Sequence, residues 1–446
     1  MKFTPSSPNL QSIKITGGRV IDPQSQRDEI ADIYIVDGFI QHIISKHSEP
    51  NNENSADTVN IHTDITINAE NKLVIPGAVD LCARLREPGQ EYKGTIHSET
   101  QAAAAGGVTH LCCPPDTNPV IDSPAVAALI QERAHQSGYA HVLPIGAITR
   151  GLEGSQLSEM HALQEAGCIG VAQLRNAIKD NRVLLRCLEY AATFNLTVFF
   201  QSVDLSLQGD GIVHESFTST RLGLPGIPRS AETVALARDL LLVEQTGVTA
   251  HFGQLSCARS IEQIAAAQQR GLPVTADVAV HQLLFNDETI DGFNSQYHVN
   301  PPFRSEIDRK ALIDAIKSGV VTAITSDHQP HEIAAKSAPF SATEAGISGI
   351  ETFLPMSFGL VRDGILSEQE WVACIATTPA NIIKIDAGKI AESAMANLSI
   401  FDPSAQWQLT SSTLRSEGKN SPLLGKTMNG RTCATIHNGR LVFQLS

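Results

Sequence analysis

The sequence predicts an α/β protein: a (β/α)8 TIM-type barrel with a small β-sandwich-like domain assembled from both termini. Two patterns carry this. Between residues 74 and 389, eight short apolar runs alternate with segments of helical period, as parallel strands joined by helices do. On either side, over 1–73 and 390–446, the chain reads instead as short strands joined by tight turns. A length of 446 residues accommodates both units.

In chain order, the first candidate strands are Ser12–Thr16, Gly18–Ile21, Ala31–Val36 and Phe39–Ile44, with Asp37-Gly38 as a hairpin turn. Residues 49–57, EPNNENSAD, are polar and read as a loose loop. Strand character resumes at Asp64–Ile67 and Lys72–Ile75. The barrel strands are expected at Ala78–Leu85, Thr109–Cys113, His141–Gly146, Cys168–Ala172, Thr197–Gln201, Thr249–Leu255, Val274–Val278 and Val321–Thr325. Helices between them include Thr95–Ala105, Ser123–Ser137, Ala231–Gln245 and Ser260–Arg270. The chain closes with strands Ala396–Asp402, Thr432–His437 and Arg440–Gln444, the last two joined by an Asn438-Gly439 turn. Residues 403–421 are expected at the surface.

Composition narrows the function. A hydrophobic content of 42% and a mean hydropathy of −0.05 describe an ordinary soluble globular protein. The formal net charge of −14 argues against a general nucleic-acid or anionic-membrane binder. No run of ~18 apolar residues suggests a membrane span, and the first residues lack the apolar core of a signal peptide. Eight scattered cysteines without a CxxC pair are expected to be free thiols in a reducing cytoplasm.

In a TIM-type barrel, chemistry sits on the loops after the C-terminal strand ends. The stretch 74–90, VIPGAVDLCARLREPGQ, supplies the first such end, where Cys82 and Arg84 share one face. This stretch, with AAAAGGVTH at 102–110, GAITRGLEG at 146–154, HVNPPFRSEIDR at 298–309 and TSDHQPH at 325–331, closely resembles the dihydroorotases of the cyclic amidohydrolase group. The resemblance covers nearly the whole chain and implies the same barrel with a β-domain built from both ends.

What the resemblance implies about the site is mostly loss. Working members hold one or two zinc ions with a His-x-His, a carboxylate or carboxylated lysine, two later histidines and a final aspartate. The His-x-His positions are Cys82 and Arg84 here, Gln173 and Leu174 stand where aspartates are usual, and the later histidines are Gln201 and Gln254. Only the aspartate remains, as Asp327. Zinc takes imidazole, thiolate or carboxylate ligands, at least three from the protein. Arginine offers no lone pair and keeps its charge. At ~4 Å and an effective dielectric of about 20, it repels each unit of metal charge by roughly 4 kcal/mol. No metal or other cofactor is therefore expected, and Arg84 is expected to pair with Asp327 in the metal's place. Of the positions that hold the substrate in the family, Arg86 and Asn300 are present, while the asparagine of Met-Pro-Asn-Thr is Asp116, which would repel a carboxylate. A relocated metal site of His281, His328, His331 and Asp327 is the alternative, and His251 also lies near a strand end.

The reading is a non-catalytic dihydroorotase homologue of the cytoplasm. The resemblance implies a hetero-oligomer in which it assembles or stabilises the catalytic chain of aspartate carbamoyltransferase, in pyrimidine biosynthesis. The alternatives are an active zinc-dependent dihydroorotase hydrolysing dihydroorotate to N-carbamoyl-L-aspartate, and a small-molecule sensor using the remnant pocket.

Overall fold

A computed structural model describes residues 11–46 and 63–445. The polar loop expected at 49–57 lies outside the described residues.

Both ends of the chain enter one hydrogen-bonded sheet. Its strands run in the order Arg440–Gln444, Thr427–His437, Leu398–Gln408, Leu73–Pro76, Ile13–Asp22, Arg27–Val36 and Phe39–Ser45, with Ile65–Asn68 also paired to Ile13–Asp22. Leu73–Pro76 lies parallel to the first strand and antiparallel to Leu398–Gln408, so it ties the two ends together. Ile13, Ile15, Val20, Ile33, Ile35, Val74, Leu398, Ile400 and Ile436 form the sheet's own core. The Asp37-Gly38 and Asn438-Gly439 turns both take positive φ, as two-residue hairpin turns require. The turns meet, and a Cβ on Gly439 would sit 2.2 Å from Gly38 Cα.

The eight barrel strands follow: Ala78–Asp80, Val108–Cys113, His141–Pro144 continuing as Gly146–Ala147, Val171–Leu174, Val198–Phe200, Ala250–Phe252, Val274–Ala279 and Ala323–Thr325. Neighbours pair in parallel. The ring closes where Ala83 bridges His328 and Arg84 N donates to His328 O at 2.9 Å. Val79, Leu81, Cys112, Leu143, Ala172, Phe199 and Ala323 pack together as the barrel's interior, so it is a filled core rather than a pore. Among the described residues no helix is long and apolar enough to cross a membrane.

Two expectations need correcting. The first barrel strand does not run unbroken to Leu85. The buried Asp80 carboxylate accepts from Ser326 N at 3.0 Å and Cys82 N at 3.4 Å, and it also bonds the Thr325 and Ser326 hydroxyls. These bonds take the place of the ladder, and pairing resumes only at Ala83. Residues 403–421 are only in part at the surface: Ser411–Thr413, Arg415 and Glu417 are exposed. The strand runs on to Gln408, and Leu409, Leu414, Ser416, Asn420 and Ser421 are buried. Asn420 donates to Gln329 O and Gly346 O and accepts from His331 N, while Glu351 accepts from Arg415 N and Ser416 N. The segment is a strap from the sheet across the barrel mouth.

Candidate functional site

The mouth is organised around Asp327, which follows the last barrel strand and is 1% exposed. Its carboxylate collects donors from four directions. Gln254 Nε2 donates to Oδ1 at 2.9 Å. Gln329 Nε2 reaches both oxygens, at 3.0 and 3.1 Å. Arg84 Nη1 lies 3.4 Å from Oδ1, the pairing expected from the sequence. Cys82 Sγ lies 3.9 Å from the same oxygen. Burial pushes Asp327 up to about 6, against the lowering effect of Arg84, Arg175 and Gln329. Above that pH the pair is ionised.

Arg84 has a second, shorter partner that sequence reasoning missed. Its Nε lies 2.6 Å from Asp116 Oδ2. Asp116, expected from the sequence only to repel a substrate carboxylate, here pairs with the arginine. Burial opposes the charge on Arg84, and Asp116, Cys82 and Asp327 outweigh it, so its pKa is raised. Gln201 Nε2 stands 4.0 Å from Cys82 Sγ, whose thiol burial holds well above its ordinary range. Arg175, also missed, donates to Gln254 Oε1 at 3.2 Å, and burial brings it down to about 10. The signal for these partners was faint: Gln329 and Arg175 each lie within two residues of a named position, but spacing alone does not aim a side chain.

Other expected residues point elsewhere. Gln173 turns away, accepting from Thr149 Oγ1 at 2.7 Å and donating to Leu152 O at 2.9 Å. Arg86 donates to Pro330 O at 2.9 Å and lies 3.1 Å from His331 Nε2. Burial, then the charge of Arg84, lowers Arg86 to about 10. Asn300 is half-buried and makes no side-chain hydrogen bond among the described residues.

The relocated metal site is not assembled. His328 Nε2 bonds Glu99 at 2.8 Å, and its Nδ1 accepts from Gly349 N at 3.1 Å, so both nitrogens are spent. His331 faces Arg86, Ala345 O and Glu344. His281 Nε2 stops 4.0 Å from Asp327 Oδ2 and burial keeps the ring neutral, down to about 3. His251 is fixed between Thr275 Oγ1 at 2.8 Å and Asp277 Oδ2 at 2.9 Å. Among the described residues, no three His, Cys, Asp or Glu side chains are placed to hold a metal ion.

The donor set does not fit zinc. The barrel mouth presents the Arg84 guanidinium, the primary amides of Gln201, Gln254 and Gln329, a protonated thiol and two carboxylates, Asp116 paired with Arg84 and Asp327 shared among four donors. There is little room besides. The cavity between Cys82, Gln201, Gln254 and Asp277 measures about 20 Å³, and that between Arg84, Arg86 and Asp116 about 10 Å³. A single water needs roughly 10–15 Å³ on this measure.

A family model described as Dihydro-orotase-like matches residues 71–260. A "Dihydroorotase-like protein" of Pseudomonas aeruginosa is 49% identical over 97% of this chain and 100% of its own length. One of Pseudomonas putida is 47% identical over 96% and 99%. A "Dihydroorotase" of Trichlorobacter lovleyi is 37% identical over 97% and 99%. Among solved structures, the L-hydantoinase (dihydropyrimidinase) of Arthrobacter aurescens superposes with a TM-score of 0.85 at 22% identity, covering 98% of this chain and 96% of that one. That likeness shows the fold, the same barrel with a sheet-rich domain.

Proposed function

The chain belongs to the dihydroorotase-like family, and on that premise we propose that it is a non-catalytic member, a pseudoenzyme of pyrimidine biosynthesis. The observation that carries this reading is the guanidinium of Arg84 lodged between Asp116 and Asp327, with Cys82 Sγ 3.9 Å away. Family chemistry needs a Lewis acid and a metal-activated water at that point. A fixed cation there opposes both, and Asp327 is engaged by Gln254, Gln329 and Arg84, chiefly through Oδ1, where the family uses it as a proton shuttle on metal-bound water.

A protein that keeps the barrel and fills its mouth acts through its surface. We therefore assign it the role of assembling or stabilising the catalytic chain of aspartate carbamoyltransferase as a cytoplasmic hetero-oligomer, the role implied by the resemblance in sequence. No metal or cofactor is required for that role.

The test is an assay of the purified, zinc-supplemented chain for interconversion of N-carbamoyl-L-aspartate and dihydroorotate, beside a homologue with intact histidines. The expected result is turnover by the control alone. Chelator-sensitive turnover by this chain would establish the active-enzyme alternative. Co-expression with the aspartate carbamoyltransferase chain then tests the partner: the expected result is one stoichiometric complex on size exclusion, and separate elution rejects the assembly role. The sensor alternative finds little support in cavities of about 20 and 10 Å³.

A further inference from the structure

A large cavity lies at the opposite end of the barrel from the mouth. It is a groove of about 670 Å³ between the start of the third barrel strand, the end of helix Pro124–Ser137 and the hairpin turns of the sheet. That volume lies within the range of small-molecule sites.

The walls carry opposite charges that do not meet. Arg440 and Asp37 both line the groove, both are exposed, and neither forms an ion pair among the described residues. The helix presents its C-terminal end, whose last-turn carbonyls favour a cation. Two exposed histidines also line the groove, His135 on that last helical turn and His141 at the start of the third barrel strand, and neither has a ring hydrogen bond among the described residues. His141 stacks on His110 at 5.6 Å between centroids, and His437 meets His110 edge-on at 6.1 Å. His437 is committed: Nδ1 faces Asn397 Oδ1 at 3.0 Å and Nε2 faces Asn438 Nδ2 at 3.1 Å. Ala134, Ala140, Val142 and Met395 provide an apolar side.

A simple anion would be opposed by Asp37 and the helix end, and a simple cation by Arg440. We propose that the groove binds a small zwitterion of net negative charge, an amino dicarboxylate. Its carboxylates face Arg440 and the His135–His141 wall, and its ammonium faces Asp37 and the helix carbonyls. Its methylene chain lies on the apolar side.

Calorimetric titration of the full chain with L-glutamate tests this, beside glutarate, which lacks the ammonium, and 4-aminobutyrate, which lacks one carboxylate. Saturable binding of glutamate is expected, with both analogues at least about tenfold weaker, as for the loss of one charge-assisted contact. Arg440→Gln and Asp37→Asn should each weaken glutamate about tenfold. Both sites are exposed, and asparagine suits the positive φ of 51° at position 37, so unchanged melting temperatures are expected. Absence of saturable heat, glutarate binding as tightly as glutamate, or glutamate binding insensitive to both substitutions would each overturn the assignment.

Discussion

Replacing Arg84 by methionine is the most direct probe of the filled mouth. Methionine fits the aliphatic part of the side chain and removes the guanidinium. Asp116 is about one-third exposed, at 32%, and can fall back on water, whereas Asp327, at 1%, keeps only neutral amide and thiol neighbours in direct contact. Removing one partner of a buried pair costs about 3–5 kcal/mol because the other charge is stranded. The lower end applies here, since Gln254 and Gln329 still donate to Asp327 and Asp327 can escape by taking up a proton. With its pKa already at about 6, each further unit of rise costs about 1.4 kcal/mol at neutral pH. A group whose folded pKa is raised gives stability that is present below its unfolded pKa and lost as pH rises through the folded one. The loss in R84M should therefore be about 3 kcal/mol near pH 8 and shrink toward pH 5, where Asp327 is neutral. Urea unfolding followed by the fluorescence of Trp371, which is fully buried and donates from Nε1 to Ser357 Oγ at 2.9 Å, reads this. The double variant R84M/D327N should recover to within about 1 kcal/mol of wild type, because an asparagine oxygen accepts the same amides without a charge. A single variant within about 0.5 kcal/mol of wild type near pH 8, or one whose cost grows in acid, would refute the role given to Arg84.

Three further expectations concern other parts of the molecule. Burial lowers His281 to about 3 and His437 to about 4, and burial with the charge of Lys336 lowers His298 to about 4. Depressed histidines withdraw stability as pH falls from about 6.5 toward about 4, so the calorimetric midpoint should drop through that window, and His298→Gln should flatten the drop; a midpoint constant over the window would contradict it. Restoring histidine at 82, 84, 201 and 254 together should give about one tightly held zinc per chain by elemental analysis, whereas Arg84→His alone should give none; zinc in the single variant would show that the arginine alone was the obstacle. Gly439→Ala forces a Cβ to 2.2 Å from Gly38 Cα at a φ of +71° and should cost more than about 1 kcal/mol in urea unfolding.

Much of the fold was legible because barrel strands are buried on both faces and read as apolar runs. Val108–Cys113 and Val274–Ala279 fall almost where those runs predict. The break after Asp80 was not legible, since it depends on Ser326, 246 positions away. Nor was the strap, because Ser416 and Asn420 read as solvent-facing until their partners at Glu351, Gln329 and Gly346 are known. At the mouth, the altered ligand positions could be located from the resembling motifs, and the Arg84–Asp327 pair followed from charge. The bond from Arg84 to Asp116 and the amide of Gln329 required coordinates, because side-chain direction at a strand end is set by loop backbone rather than by periodicity.

That loop backbone also bears on how the mouth is filled. Arg86, Leu174, Gln254 and Asp327 all hold positive φ, between 45° and 66°, a conformation that costs a non-glycine residue about 1–2 kcal/mol. Each must be held by what surrounds it. Gln254 N donates to Asp277 Oδ1 at 2.7 Å, and Asp277 is braced by His251. Asp327 is flanked by Ser326 on Asp80 and His328 on Glu99. These braces would orient ligands around a metal, yet here they orient two amides and a carboxylate around a guanidinium. Here the Arg84 guanidinium, its two carboxylate partners and the amide donors to Asp327 all find one another. Under the non-catalytic role proposed above, these groups satisfy one another at the position where the family holds its metal.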